Sequence, residues 1–168
     1  MKNALSPCEY FNTRDRFDLG FTRLKLELYQ TISILGDKDE ISDLITTFFD
    51  SGKTKNLAPL SAIQLDDPRF SSYGDVPPFD LKDYATTLAL QQLRFVSISD
   101  YEHEIKNMRI DIFDNCAVVT FTIRQTGMIV DNYSFRGQHL SMYSRGTFVL
   151  VKSQKWKIVH VHLSKISD

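Results

Sequence analysis

The sequence predicts an α+β fold, with N-terminal helices packed on one face of an antiparallel sheet. Three observations predict it. Apolar residues recur at helical spacing up to about residue 94, then alternate with the two-residue period of strands to the end. The β-rich half is broken by short turn signals, as in a meander. At 168 residues, 42% hydrophobic and 24% charged, the chain has the length and composition of one globular domain that buries a real core.

Each element follows in order. Phe21, Leu24, Leu28, Ile32 and Leu35 predict a helix over 15–35, ended by Gly36-Asp37. Ile41, Leu44, Ile45, Phe48 and Phe49 predict a second over 38–50, stopped by Ser51-Gly52. A short helix follows at 55–62 and a strand near 69–73. Asp66-Asp67-Pro68 and Gly74–Pro78 are turn signals, and the two adjacent acids read as turn formers. Leu81, Tyr84, Leu88 and Leu93 mark a helix over 80–94. Long strands fall near 100–113, 116–126, 134–152 and 155–166. Helices first and strands after puts the helices on one face of the sheet. Residues 1–36 read as a helical extension and 37–168 as the domain proper. The extension's apolar stripe is worth roughly 6–10 kcal/mol if buried, so it is expected to dock on its own domain or on a partner subunit.

Two hairpins can be registered. A turn at Asp114-Asn115 places Ile112 opposite Ala117, Ile110 opposite Val119 and Met108 opposite Phe121. The other face of that ribbon carries Asn107, Arg109, Asp111, Thr120 and Thr122, and His103 reads as solvated. A turn at Ser153-Gln154 would set Val151 against Trp156, Val149 against Ile158, Thr147 against His160 and Arg145 against His162. By alternation these eight share one side. Phe148, Leu150, Val159, Val161 and Leu163 share the other, and both sides are largely apolar. One must cover the helices. The other calls for a partner, so a homodimer with Phe148, Leu150, Val159 and Val161 at the contact is expected.

Charge and motifs exclude several classes. The net charge is −1, with Lys and Arg spread along the chain, which argues against nucleic acid and against an anionic membrane. No segment approaches the length of a membrane span, and the first residues lack the apolar run of a signal peptide. Cys8 and Cys116 fit no metal or redox spacing, consistent with a reduced cytoplasmic protein. No phosphate loop, nucleophile elbow or Cys/His pairing appears, so no cofactor is expected. His139 lies in an uninformative Gly-Gln-His run.

The chemistry concentrates in the last hairpin. His160 and His162 share a strand face and could exchange protons near neutral pH or hydrogen-bond a ligand. They could bind zinc only with a third ligand, and none stands at a characteristic spacing, so no metal is expected. Arg145 could clamp a carboxylate or an oxyanion, or pair with Glu102, Glu104 or Asp66. Thr147 stands opposite His160. Trp156, Ile158, Phe70 and Tyr73 would supply the apolar wall.

The helix ending Phe48-Phe-Asp-Ser-Gly52, the turn and strand Asp66–Asp75, the helix 80–94 and the final Arg145-Gly-Thr-Phe and Trp156-Lys-Ile-Val-His resemble the nuclear transport factor 2-like superfamily, in its SnoaL-like branch. The resemblance covers roughly residues 38–166. It implies the cone fold and a cavity, with a function among ketosteroid isomerases, dehydratases, polyketide cyclases or non-catalytic assembly modules. The isomerases' base, tyrosine and second acid would fall near Ser72, Ile45 and Arg145-Gly146, and none is of the required type. The expected function is therefore binding of a small, largely apolar ligand with one anionic or carbonyl group. The alternatives are a cofactor-free isomerase, dehydratase or cyclase using a pocket histidine, and an assembly module with a vestigial cavity.

Overall fold

The computed structural model describes residues 13–131 and 136–166. The elements are α1 (Thr13–Thr54), α2 (Ala58–Ile63), β1 (Ser71–Tyr73), α3 (Tyr84–Ser97), β2 (Ile98–Phe113), β3 (Cys116–Asp131), β4 (Arg136–Lys152) and β5 (Trp156–Lys165). The chain divides into two compact units, Met1–Asp37 and Lys38–Asp168.

In the first unit, the described part is helix. Gly36-Asp37 does not stop it: one helix covers both predicted ones. Gly36 is not in the left-handed region that would end a helix, and an interior glycine costs only about 1 kcal/mol. Leu24, Leu28 and Ile32 are 66%, 61% and 57% exposed. The Phe21 side chain and Cys8 lie outside the described residues.

In the second unit, the fold is α+β: a curved, unclosed sheet ordered β1-β5-β4-β3-β2, with helices on its inner face. The four long strands pair antiparallel, and the short β1 joins the edge parallel to β5, with Ser71 beside His160 and Tyr73 beside His162. The start of the strand expected at 134 lies outside the described residues. Ile41, Ile45, Phe48 and Phe49 of α1 bury their helical stripe against the sheet. Phe48 and Phe49 meet edge to face at 4.9 Å, and Phe48 meets Phe148 at 5.1 Å. Such aromatic pairs add about 0.5–1.5 kcal/mol each beyond burial.

Three irregularities decide which side chains face inward. In β2 the ladder shifts between Ser99 and Glu102 and again between Lys106 and Arg109. Asp100 and Asn107 take positive φ of 50° and 54° at these points, the local geometry of a bulge. Between them the inward phase carries Tyr101 and His103. His103 is thus not solvated as expected; its side chain is 10% exposed and stacks on Phe49 and Tyr101. Beyond the second shift, Ile110 pairs with Val119 and Ile112 with Ala117 as read from the sequence, but Met108 falls in the irregularity and has no partner in the ladder.

The third irregularity corrects the last hairpin. Its turn is one residue longer than expected: Lys152 pairs with Trp156 across Ser153–Lys155. Leu150 then pairs with Ile158 and Val149 with His160, leaving Val159 as the extra residue of a bulge. Because side chains alternate, one inserted residue reverses the faces from that point on. Trp156 and Ile158 face the core before the bulge, and Val161 and Leu163 face it after. Phe148, Leu150 and Val161 are therefore core residues and cannot form the expected dimer contact.

Candidate ligand-binding site

The predicted site residues are scattered by the bulge. Trp156, Ile158 and Phe70 are fully packed in the core, Phe70 against Tyr84 at 5.6 Å. Thr147, His160 and His162 lie on the outer face with Val149, where Thr147 pairs with His162. Ser71 Oγ hydrogen-bonds His160 Nδ1 at 2.8 Å, and the Tyr73 ring lies 5.7 Å from that of His162. Burial, and secondarily the neighbouring His162, lowers the His160 pKa. Arg145 is exposed opposite Ser164, and Glu102 and Glu104 pair instead with Lys53 and Lys106. Among the described residues, no group of three or more His, Cys, Asp or Glu could hold a metal ion. No described helix is long and apolar enough to cross a membrane.

The inner face forms a cavity of about 230 Å³ between the end of α1, α3, the 74–78 segment and the sheet. Phe48, Phe49, Leu90, Leu93, Phe95, Val161 and Leu163 give it an apolar wall. Tyr73 is the one predicted site residue among those lining it, and no histidine does. An engineered apolar cavity of about 150 Å³ holds benzene, so this one has room for a substituted ring.

The segment over the cavity is fixed at both ends. Ser72 and Lys82 exchange backbone hydrogen bonds of 2.9 and 3.0 Å, closing the loop between them. Asp83 caps α3 by accepting from Thr86 N at 2.8 Å. Ser72 Oγ and Thr87 Oγ1 lie 2.6 Å apart, which ties β1 to α3. Lys82, buried to 7% exposure, donates from Nζ to the carbonyls of Pro78 and Asp80.

Within the loop, Asp75 is drawn inward. It accepts from Arg94 Nη1 at 2.8 Å and from Ser144 Oγ at 2.8 Å. Arg94 Nη2 also donates to Gln125 Oε1 at 3.3 Å, and Tyr101 Oη donates to the same oxygen at 3.0 Å. Burial holds the Tyr101 phenol well above its ordinary pKa, so it stays a neutral donor. The Arg94 contact fixes the amide orientation, since a flipped Gln125 would turn its NH₂ toward the guanidinium. Gln125 Nε2 is then left buried with no partner among the described residues.

Sequence reading passes over Arg94, Asp75, Gln125 and Lys82. A signal for Gln125 exists: it continues the inward phase of Ala117, Val119, Phe121 and Ile123 as a lone polar residue. Ser144 does the same between Met142 and Phe148. Asp75 gives no such signal, because it sits in a Gly/Pro turn where aspartate is ordinary.

Residues 41–168 match the family profile of the SnoaL-like domain. The chain matches no curated protein by sequence. Similar solved structures include a candidate dehydratase of the NTF2-like family from Streptomyces avermitilis, at TM-score 0.68 and 16% identity, covering 79% of this chain and 99% of that one. A candidate scytalone dehydratase from Novosphingobium aromaticivorans aligns at TM-score 0.68 and 13% identity, covering 82% and 89%. The association domain of C. elegans CaMKII aligns at TM-score 0.60 and 18% identity, covering 79% and 98%. At these identities the likeness is one of fold.

Proposed function

We propose a ligand-binding function for this chain, which belongs to the family of SnoaL-like domains. The ligand is small and largely apolar, and it sits in the cavity between α3 and the sheet with a polar end toward Arg94 and Gln125. The observation that carries this reading is the cavity itself: an apolar wall around about 230 Å³, with a hydrogen-bonded Asp75–Arg94–Gln125–Tyr101 group beside it. Apolar lining with a few convergent polar groups is the usual make-up of a small-molecule site. Catalysis through a pocket histidine has less support, because the cavity is lined without one. A free thiol at Cys116 fits a reducing, cytoplasmic setting.

Ligand-observed NMR with toluene tests the reading. Saturable binding is expected in the wild type, and its loss in Leu90→Trp, whose indole would fill the cavity. Equal binding in both proteins would place the site elsewhere.

Assembly is a second reading, favoured by the exposed Leu24, Leu28 and Ile32 of the helical extension. A second copy would cover them, and the C. elegans CaMKII structure that shares this fold is an association domain. Light scattering that gives a monomer mass at micromolar concentration would remove this reading.

A further inference from the structure

We propose that the cavity selects ligands whose polar end is a neutral hydrogen-bond acceptor, such as a ketone, ester or amide carbonyl, and that Gln125 is the residue that reads it. The proposal rests on the ligand-binding reading above and adds the chemical class of the polar end.

Three observations carry it. Gln125 lines the cavity and is 1% exposed, yet its Nε2 has no partner among the described residues. A buried donor left unmade destabilises the protein that holds it, and an acceptor brought by a ligand relieves that cost. The amide cannot escape by flipping, because Arg94 Nη2 and Tyr101 Oη both donate to its oxygen. Finally, the nearby positive charge is already matched: Arg94 pairs with Asp75, whose other oxygen accepts from Ser144. An incoming carboxylate would meet the Asp75 charge in a poorly solvated space and find no free guanidinium. A hydrocarbon would leave Nε2 unsatisfied. A carbonyl oxygen satisfies it without adding charge.

Lys82 is the competing anchor, since it lines the cavity and its hydrogen bonds go to carbonyls. It favours an anionic polar end, and the two anchors predict opposite orders of affinity.

The test uses three probes of equal heavy-atom count: acetophenone, isopropylbenzene and benzoate. Each is titrated into the 168-residue chain by NMR. Acetophenone is expected to bind about tenfold more tightly than isopropylbenzene, the scale of one buried hydrogen bond. Benzoate is expected to bind more weakly than acetophenone. The Gln125 side-chain NH₂ resonances should shift with acetophenone and stay in place with isopropylbenzene, a readout that needs no variant. Gln125→Glu keeps an oxygen toward Arg94 and Tyr101 but loses the donor, so the preference for the ketone should vanish. Gln125→Met should behave alike.

Equal affinity for the ketone and the hydrocarbon would overturn the proposal while leaving the cavity as a binding site. Tightest binding of benzoate, lost in Lys82→Met, would overturn it in favour of the lysine. Failure of all three probes to bind would remove the ligand-binding reading and this proposal with it.

Discussion

Asp75 and Arg94, 19 residues apart, meet at 2.8 Å and hold the loop between β1 and α3 down on the sheet. The Asp75 side chain is fully buried, and only the rim of Arg94 reaches solvent. Ser144 of β4 binds the second carboxylate oxygen, so loop, helix and sheet share one acceptor.

Breaking this pair from one side should therefore cost far more than an exposed ion pair would. Asp75→Ala leaves Arg94 buried without its charge partner and is expected to lower stability by about 3 kcal/mol, measured by urea denaturation. The double variant Asp75→Ala with Arg94→Met should recover much of that loss, because the stranded charge is gone. A single variant within about 0.5 kcal/mol of the wild type would mean that the loop is held by other contacts.

The bulge at Val159 makes a prediction of opposite sign for the outer face. Arg145→Ala and His162→Ala remove exposed side chains that the strand directs away from the cavity. Toluene affinity should change less than about twofold, and stability by no more than about 0.5 kcal/mol. A tenfold loss of toluene affinity in either variant would return the site to the outer face.

Stability should also depend on pH through His103. Burial against Phe49 and Tyr101 lowers its pKa below the ordinary 6.5, although Asp50 pulls the other way. The unfolded chain thus takes up this proton first as pH falls. Stability contributed by neutral His103 is complete above 6.5 and declines below it. His160, lowered chiefly by its burial, adds the same sign. Thermal melts of His103→Phe should show a shallower decline between about pH 6.5 and 5 than the wild type, since one of the two groups is gone. An unchanged slope would assign the decline to other groups.

Much of the fold was legible because it rests on periodicity. The helical stripe of Ile41, Ile45 and Phe48, the pairing of Ile112 with Ala117, and the order of helices and strands follow from spacing alone. The candidate site was far less legible. Its face assignment depended on Val159, a residue with no turn chemistry or charge to mark it as an insertion. Asp75 and Arg94 depend on a loop folding back, a long-range contact that no local pattern carries. The joining of two predicted helices across Gly36 shows the reverse case, a local break signal of about 1 kcal/mol outweighed by the turns on either side.

The insertion in β5 has a consequence for comparison between relatives. Positions before Val159 and positions after it keep different parity, so a residue counted along the strand by twos changes side midway. A binding residue carried over from another cone-shaped domain must be matched by its ladder partner on β4, as His160 is by Val149 and Ile158 by Leu150. Matched by sequence offset alone, a pocket wall in one protein becomes an outer surface in the other.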